Sequence, residues 1–339
     1  MRRLLFFLTA SCLTLNAQWI LQDSRSKASL RGIHNTGNGV VWASGTAGTI
    51  LHTTNNGETW QTCAVPPGAE KLDFRGIHAF DATTAVIMSS GKGDQSRIYR
   101  TTDSCQTWKL VFSNPDKDGF WDGLQFNGQL GALIGDPVDG RFPLFLTEDG
   151  GNTWSQPNSK GIAAQKNQSL FAASNTSMVL AGGKLIFVTG GGENTLIEVD
   201  PQLATPPVSV RPDLAVGAAA GGFSIATRTE GAKLIIVVVG GDYKLPAQTA
   251  GTAVTCIDNR QGSITCKAAD TPPGGYRSAV AYDESAKTWI AAGPNGTDVS
   301  TDDGHNWKPA KSGQGEANWN AISLPFAVGP NGRIGKLSM

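Results

Sequence analysis

Five short segments of the chain place a guanidinium, a carboxylate or a carboxamide at the same point of one recurring pattern. They are Leu30-Arg31-Gly32-Ile33-His34, Phe74-Arg75-Gly76-Ile77-His78, Trp121-Asp122-Gly123-Leu124-Gln125, Tyr276-Arg277-Ser278-Ala279-Val280 and Trp319-Asn320-Ala321-Ile322-Ser323. If the pattern repeats in space, Arg31, Arg75, Asp122, Arg277 and Asn320 converge. Arginines gathered in this way suit planar, bidentate contact with a carboxylate. With Tyr276 or Tyr243 as nucleophile and Asp122 or Asp136 nearby, the same set also holds the ingredients of sialoside cleavage. Further unusual polar residues sit in Gly- and Pro-containing turns: Asp94, Arg97, Asp136, Asp139, Arg141, Asp242, Tyr243 and Arg333.

The elements that position these residues are announced by a second repeat. Thr53-Thr54-Asn55-Asn56-Gly57-Glu58-Thr59-Trp60 recurs as Thr101-Thr102-Asp103-Ser104-Cys105-Gln106-Thr107-Trp108, as Thr147-Glu148-Asp149-Gly150-Gly151-Asn152-Thr153-Trp154 and as Ser300-Thr301-Asp302-Asp303-Gly304-His305-Asn306-Trp307. Its physical content is a tight hairpin: Asp or Asn caps turn amides, Gly takes a backbone conformation closed to other residues, and Trp packs between sheets. Cys105 stands where Gly is expected and Asn55 where Asp is, so these two turns are expected to be more strained or less well capped. The tryptophans are 48 and then 46 residues apart, and the last interval, 153, is three steps of 51. Two units between have lost the turn but keep strands, at 177–180 and 184–188 and again at 233–239 and 252–257.

A period of this size, with short apolar runs between turns, predicts an all-β, seven-bladed β-propeller. Blades are expected to start near residues 30, 74, 120, 168, 220, 276 and 318, with the inner strands of the two degenerate blades near Phe171 and Phe223. The last blade has room for three strands only, and 18–22 is expected to supply its fourth, closing the ring through Trp19 and Leu21. In a four-stranded blade the chain runs down, up, down and up. The start of strand one therefore shares a face with the loop joining strands two and three, and the octapeptide turn lies on the opposite face. All these polar candidates fall on the first face, where loops on a rigid scaffold carry function and a channel mouth offers a concave site. The alternative is that they brace neighbouring blades, as Arg75 with Asp122 or Arg97 with Asp136.

Composition agrees with this architecture. The 339 residues include 42 Gly, 17 Pro and 9 Trp with 17% charged, and 28 basic side chains balance 28 acidic ones. No global field draws the chain to nucleic acid or an anionic membrane. Residues 1–17 read as a secretory signal peptide, with Met1-Arg2-Arg3, an apolar core and Ala17 before the cut; a lipid anchor at Cys12 is the less favoured variant. Residues 18–339 then form one domain, periplasmic or secreted, expected to be monomeric and without a transmembrane span. Of the remaining cysteines, Cys256 and Cys266 flank a turn and can oxidise across a hairpin, whereas the spacing of Cys63, Cys105, Cys256 and Cys266 fits neither a zinc site nor a disulfide framework. Gly190-Gly191-Gly192 precedes no helix and reads as a turn, and His34, His78 and His305 read as scaffold.

Through its octapeptide turns the chain resembles the BNR/Asp-box propeller superfamily. It is further similar to bacterial proteins related to the photosystem II stability/assembly factor. The segments that carry this are Gly93-Asp94-Gln95-Ser96-Arg97-Ile98-Tyr99-Arg100, Gly135-Asp136-Pro137-Val138-Asp139-Gly140-Arg141-Phe142, Phe171-Ala172-Ala173-Ser174-Asn175, Gly240-Gly241-Asp242-Tyr243-Lys244 and Pro272-Pro273-Gly274-Gly275-Tyr276-Arg277-Ser278. The resemblance implies a non-enzymatic ligand-binding or assembly scaffold, with no cofactor and with an unknown protein or small acidic ligand as partner. A sialidase-like hydrolase is the alternative on the same face. Against it stand the missing Phe/Tyr-Arg-Ile-Pro signature, the lack of a rim Glu and the lack of inserted substrate loops.

Overall fold

Each repeat folds as an antiparallel sheet, and seven such sheets close into a ring. The computed structural model describes residues 18–157, 161–310 and 317–338; the expected signal peptide and Cys12 lie outside the described residues. Blade 1 comprises Leu30–Gly37, Val40–Gly45, Ile50–Thr53 and Gln61–Thr62, and blade 2 comprises Phe74–Ala79, Ala85–Ser89, Arg97–Thr101 and Lys109–Ser113. Blade 3 has Trp121–Asn127, Leu130–Gly135 and Leu144–Thr147, with its outer edge reduced to a bridge between Leu146 and Ser155. Blades 4 and 5, which lack the octapeptide, start at Met178–Ala181 and Gly217–Glu230, and blade 6 starts at Ala279–Asp283. Apolar side chains pack between adjacent sheets, as where Trp42 and Ile50 of blade 1 meet Phe74, Ile87 and Tyr99 of blade 2.

Blade 7 pairs Ala321–Ser323, Phe326–Val328 and Ile334–Ser338 with the N-terminal strand Gln18–Gln22. The two ends of the chain thus share one sheet, which removes an open edge. Trp19, 2% exposed, lies 5.2 Å from the Trp319 ring and donates its indole N–H to Thr297 of blade 6. Leu21, expected to be buried with it, is instead 51% exposed. Gln22 takes over the inward role by accepting the indole N–H of Trp60 at 3.1 Å, which ties blade 7 to blade 1.

The four octapeptides form one hydrogen-bonded turn. Thr53, Thr101, Thr147 and Ser300 each donate a hydroxyl at 2.8 Å to the Asn or Asp two residues on, and accept the amide four residues on. Asn55 is no poorer a cap than the aspartates, because its Oδ1 accepts the Thr59 amide while its Nδ2 donates to the Thr59 hydroxyl. Cys105 does hold the unusual backbone expected of it, at φ +61°. The Gly at this position faces the preceding blade: a Cβ on Gly151 would meet Val86, and one on Gly304 would meet Val237 and Thr255. Cys105 fills that direction with a disulfide to Cys63, Cα atoms 5.3 Å apart, a cross-blade staple the cysteine spacing did not predict. Cys256 and Cys266 are directly opposed in the register of blade 5 and are bridged as expected.

The inner strand of blade 4 begins later than the repeat predicts. Residues 170–177 leave the ladder because the Asn175 side chain imitates a peptide group: its Oδ1 accepts the Leu124 amide at 2.8 Å and its Nδ2 donates to the Leu124 carbonyl at 2.9 Å. Among the described residues no helix is long and apolar enough to cross a membrane.

Candidate ligand site at the channel mouth

The peptide of Ala172, on the segment leading into blade 4, is the meeting point of the face. Its carbonyl accepts Arg31 Nη2 of blade 1 at 3.4 Å and Arg75 Nη1 of blade 2 at 3.3 Å. Its amide reaches the Asp122 carboxyl of blade 3. Around this peptide lies a cavity of about 360 Å³, lined by Arg31, Arg75, residues 171–173, Phe223, Tyr243 and Tyr276. Five blades therefore contribute to one concave site.

One wall of the cavity is aromatic. Phe171 stacks on Phe223 of blade 5 with ring centroids 4.0 Å apart and planes 4° from parallel, while Tyr243 stands edge-on to both and Tyr276 edge-on to Phe223. Stacking of the partly exposed Phe171 on the buried Phe223 joins the segment before blade 4 to blade 5, and Tyr243, 47% exposed, forms the lip. Behind the wall, Gln168–Ser169 and Gly190–Gly191 add two short strands to the inner edge of blade 5. The first of them leads directly into the segment that carries Phe171.

The opposite wall is cationic. Arg75 donates from Nε to Asp73 at 2.7 Å, so only part of its fork is engaged by a carboxylate. Arg31 has no such partner among the described residues, and its buried Nε lacks any hydrogen bond. Burial, and then the neighbouring Arg75, lowers the pKa of Arg31 from its ordinary value. Tyr276 is held in its protonated form because burial pushes its ionisation up. Asp122, 1% exposed, is raised well above the usual carboxylate range by burial and then by Asp136, while Arg75 and the amides of Asp136 and Ala172 pull the other way. Its Oδ2 has no hydrogen bond. Burial also raises Asp136, whose Oδ1 accepts the Leu170 amide.

The remaining sequence candidates do not join this cavity. Arg277 is 2% exposed and paired inside blade 6 with Asp298. Its equivalence to Arg31 and Arg75 in sequence is thus overturned by a carboxylate on the third strand of its own blade. Asn320 braces blade 7 to blade 1 by donating to the Leu30 carbonyl, and Arg333 lies over the Trp319 ring at 4.6 Å. Arg97 is held in blade 2 by the Asp94 carbonyl and Tyr99, and Asp242 caps the amide of Lys244. Asp139 and Arg141 line a separate cleft by blade 3, where Arg141 donates to the Gly161 carbonyl. Neither the Arg75–Asp122 nor the Arg97–Asp136 bridge forms; both arginines meet an aspartate two or three residues away in their own blade. Sequence reading placed Phe171 and Phe223 as strand starts, which is the signal that put them on this face, but not as a wall. Asp73 fell one residue outside the repeated pattern.

Neither a family model nor a curated protein sequence matches the chain. Solved structures do match. YCF48 from Cyanidioschyzon merolae is 18% identical, with a TM-score of 0.64 over 94% of this chain and 98% of that one. A structure of YCF48 bound to D1 peptide gives 15% identity and a TM-score of 0.63 over 95% and 96%. The GH74 xyloglucanase from Xanthomonas campestris gives 13% and 0.58, and this chain spans 53% of its length. At these identities the likeness is one of architecture, and it agrees with the sheets described above: the chain is a seven-bladed β-propeller.

Proposed function

We propose that the protein is an exported propeller of the BNR/Asp-box kind that holds a carboxylate-bearing polypeptide on its channel face, as a monomeric binding or assembly scaffold. The observation that carries this reading is the convergence of Arg31 and Arg75 from two blades on one cavity, with a buried Arg31 Nε left without a partner among the described residues. Unsaturated, planar guanidinium donors fit a carboxylate better than a neutral group. The YCF48 structure that holds a D1 peptide supports a polypeptide as the partner. Export is supported by the leader at 1–17 and by two disulfides, which persist in oxidising compartments.

The test is a paired capture from the envelope fraction of the source cells, with wild type and the Arg31→Ala/Arg75→Ala variant as baits. One or a few proteins are expected on the wild type and not on the variant. Identical sets on both baits overturn the assignment of the face. Intact mass of the protein recovered from that fraction is expected to match a chain beginning at Gln18; a mass retaining residues 1–17 overturns export.

The hydrolase alternative loses one of its parts. Arg277 is buried with Asp298, so only two of the three arginines meet, and Asp122 lies behind the cavity lining.

A further inference from the structure

We propose that the axial cavity recognises a single flat, apolar monocarboxylic acid group: a carboxylate seated between Arg31 and Arg75, with an attached ring laid against Phe171 and Tyr243. This rests on the reading of the face given above and narrows it from a charge to a chemical group.

Size sets the first limit. A cavity of about 360 Å³ lies at the small end of ligand sites, which run from roughly 300 to 1,000 Å³. It admits one residue-sized group and not a stretch of strand or helix. Charge sets the second limit. Arg31 and Arg75 bring two positive charges, Asp73 cancels one of them, and Asp122 lies behind the cavity lining, where burial favours its neutral form. One positive charge is left for the ligand, which matches a monocarboxylate and leaves a dicarboxylate or a phosphate dianion under-compensated.

The wall sets the third limit. Phe171, Phe223 and the ring of Tyr243 present carbon surface, which suits the apolar part of a ligand. The pair Phe171 and Phe223 already stack on each other, so the ring-binding surface is the outer face of Phe171 with Tyr243 beside it. Tyr243 is half-exposed at the mouth, and a ligand ring covers it where aromatic contacts are favourable. The Tyr276 phenol, close to Arg31 and protonated, adds a hydroxyl donor on the carboxylate side.

Two sources offer this chemistry: the C-terminal residue of a polypeptide, or a free aryl acid. Isothermal titration with phenylacetate, acetate, phenylacetamide, N-acetylphenylalanine and N-acetylphenylalanine amide separates them. The ring acids are expected to bind, acetate about threefold to tenfold more weakly, and the amides more weakly still by about tenfold or more. Tyr243→Ala is expected to reduce the advantage of ring acids over acetate. Tighter binding of N-acetylphenylalanine than of phenylacetate supports a polypeptide C-terminus, and equal binding supports a free acid.

Acetate binding as tightly as the ring acids, or an unchanged ring preference in Tyr243→Ala, overturns the proposal while leaving an anion-binding face intact. Amides equal to acids, no binding of any acid, or acid binding untouched by Arg75→Ala overturns both the proposal and the wider reading. Where Arg75→Ala does not fold, Arg75→Gln keeps a donor for the Ala172 carbonyl and removes the charge.

Discussion

Arg277 donates from Nε to Asp298 Oδ2 at 2.7 Å, with both side chains sealed inside blade 6. The Asp298 carboxylate also accepts the Gly274 amide, so the pair holds the loop that enters the blade. Removing one member of a buried pair leaves an uncompensated charge, at a cost of about 3–5 kcal/mol. Arg277→Ala is therefore expected to lower the urea midpoint markedly. Arg75→Ala, whose side chain is partly exposed, is expected to stay within about 1 kcal/mol of wild type. Equal midpoints for Arg277→Ala and wild type would place the pair outside the set of interactions that hold the fold.

Asp122 gives a pH dependence of the opposite sense to an ordinary surface aspartate. Its pKa in the fold is raised above the unfolded value by burial and by Asp136, so the native state binds its proton more tightly. Its contribution is fully present below the usual carboxylate range and is lost as the pH rises through the folded value. Asp122→Asn keeps the shape and removes the titration. The variant is expected to gain stability over wild type steadily as the pH is raised from 4 to 8, read by denaturant unfolding at each pH. A constant difference across that range would show that Asp122 binds its proton no more tightly in the fold than in the unfolded chain.

How far the sequence foretold this molecule differs between the ring and the site. The octapeptide turn was legible because it is local: Thr53, Asn55, Gly57 and Trp60 satisfy one another within eight residues. Its recurrence set the count of blades and the face on which each polar residue sits. Closure by Trp19 was legible because the last blade lacked a strand. The site was only half legible, since what decides it is contact between blades distant in sequence. Arg31 and Arg277 share one pattern, yet Asp298 captures one and leaves the other turned to the cavity. Asn175 breaks the inner strand of blade 4 by imitating a peptide for Leu124, which no repeat encodes, and this displaced segment is the one that carries Phe171 and Ala172.

The Cys63–Cys105 staple replaces a glycine contact between blades 1 and 2 with a covalent one. It closes a loop of 42 residues, for which a disulfide stabilises by about 2–4 kcal/mol, mainly by restricting the unfolded chain. Cys63→Ala combined with Cys105→Gly restores the consensus turn and removes the backbone strain at φ +61°, offsetting a part of that loss. The double variant is expected to unfold at a lower midpoint than wild type under oxidising conditions and to match or exceed wild type once both are reduced, provided Cys256 and Cys266 are replaced in both. Unchanged stability under oxidising conditions would mean that neighbouring contacts alone hold the junction.

His34 and His78, equivalent in the first two blades, lie with ring centroids 4.2 Å apart, and Phe126 stacks on His78 while Phe80 meets its edge. His34 Nδ1 accepts the Ala79 amide at 3.1 Å, a bond that requires the neutral ring. Burial lowers the pKa of His34 to about 4, and burial together with His34 lowers that of His78 to about 3. Because the unfolded chain takes up these protons near pH 6.5, the pair's contribution is complete above that pH and declines as the pH falls toward 4 and 3. Hydrogen bonds from Thr107 hold Asp103 at about 2, and its own contribution is lost only as the pH falls from the ordinary carboxylate range through that value. The histidine window therefore opens at higher pH, and Asp103 contributes almost nothing to the change between pH 7 and pH 4.5. The unfolding free energy of wild type, read by urea titration, is expected to fall between pH 7 and pH 4.5 by about 1 kcal/mol or more. His78→Phe, which keeps a ring between Phe126 and His34, is expected to flatten that decline. The same slope in both proteins would assign the acid sensitivity to groups other than His78 and leave that ring as packing alone.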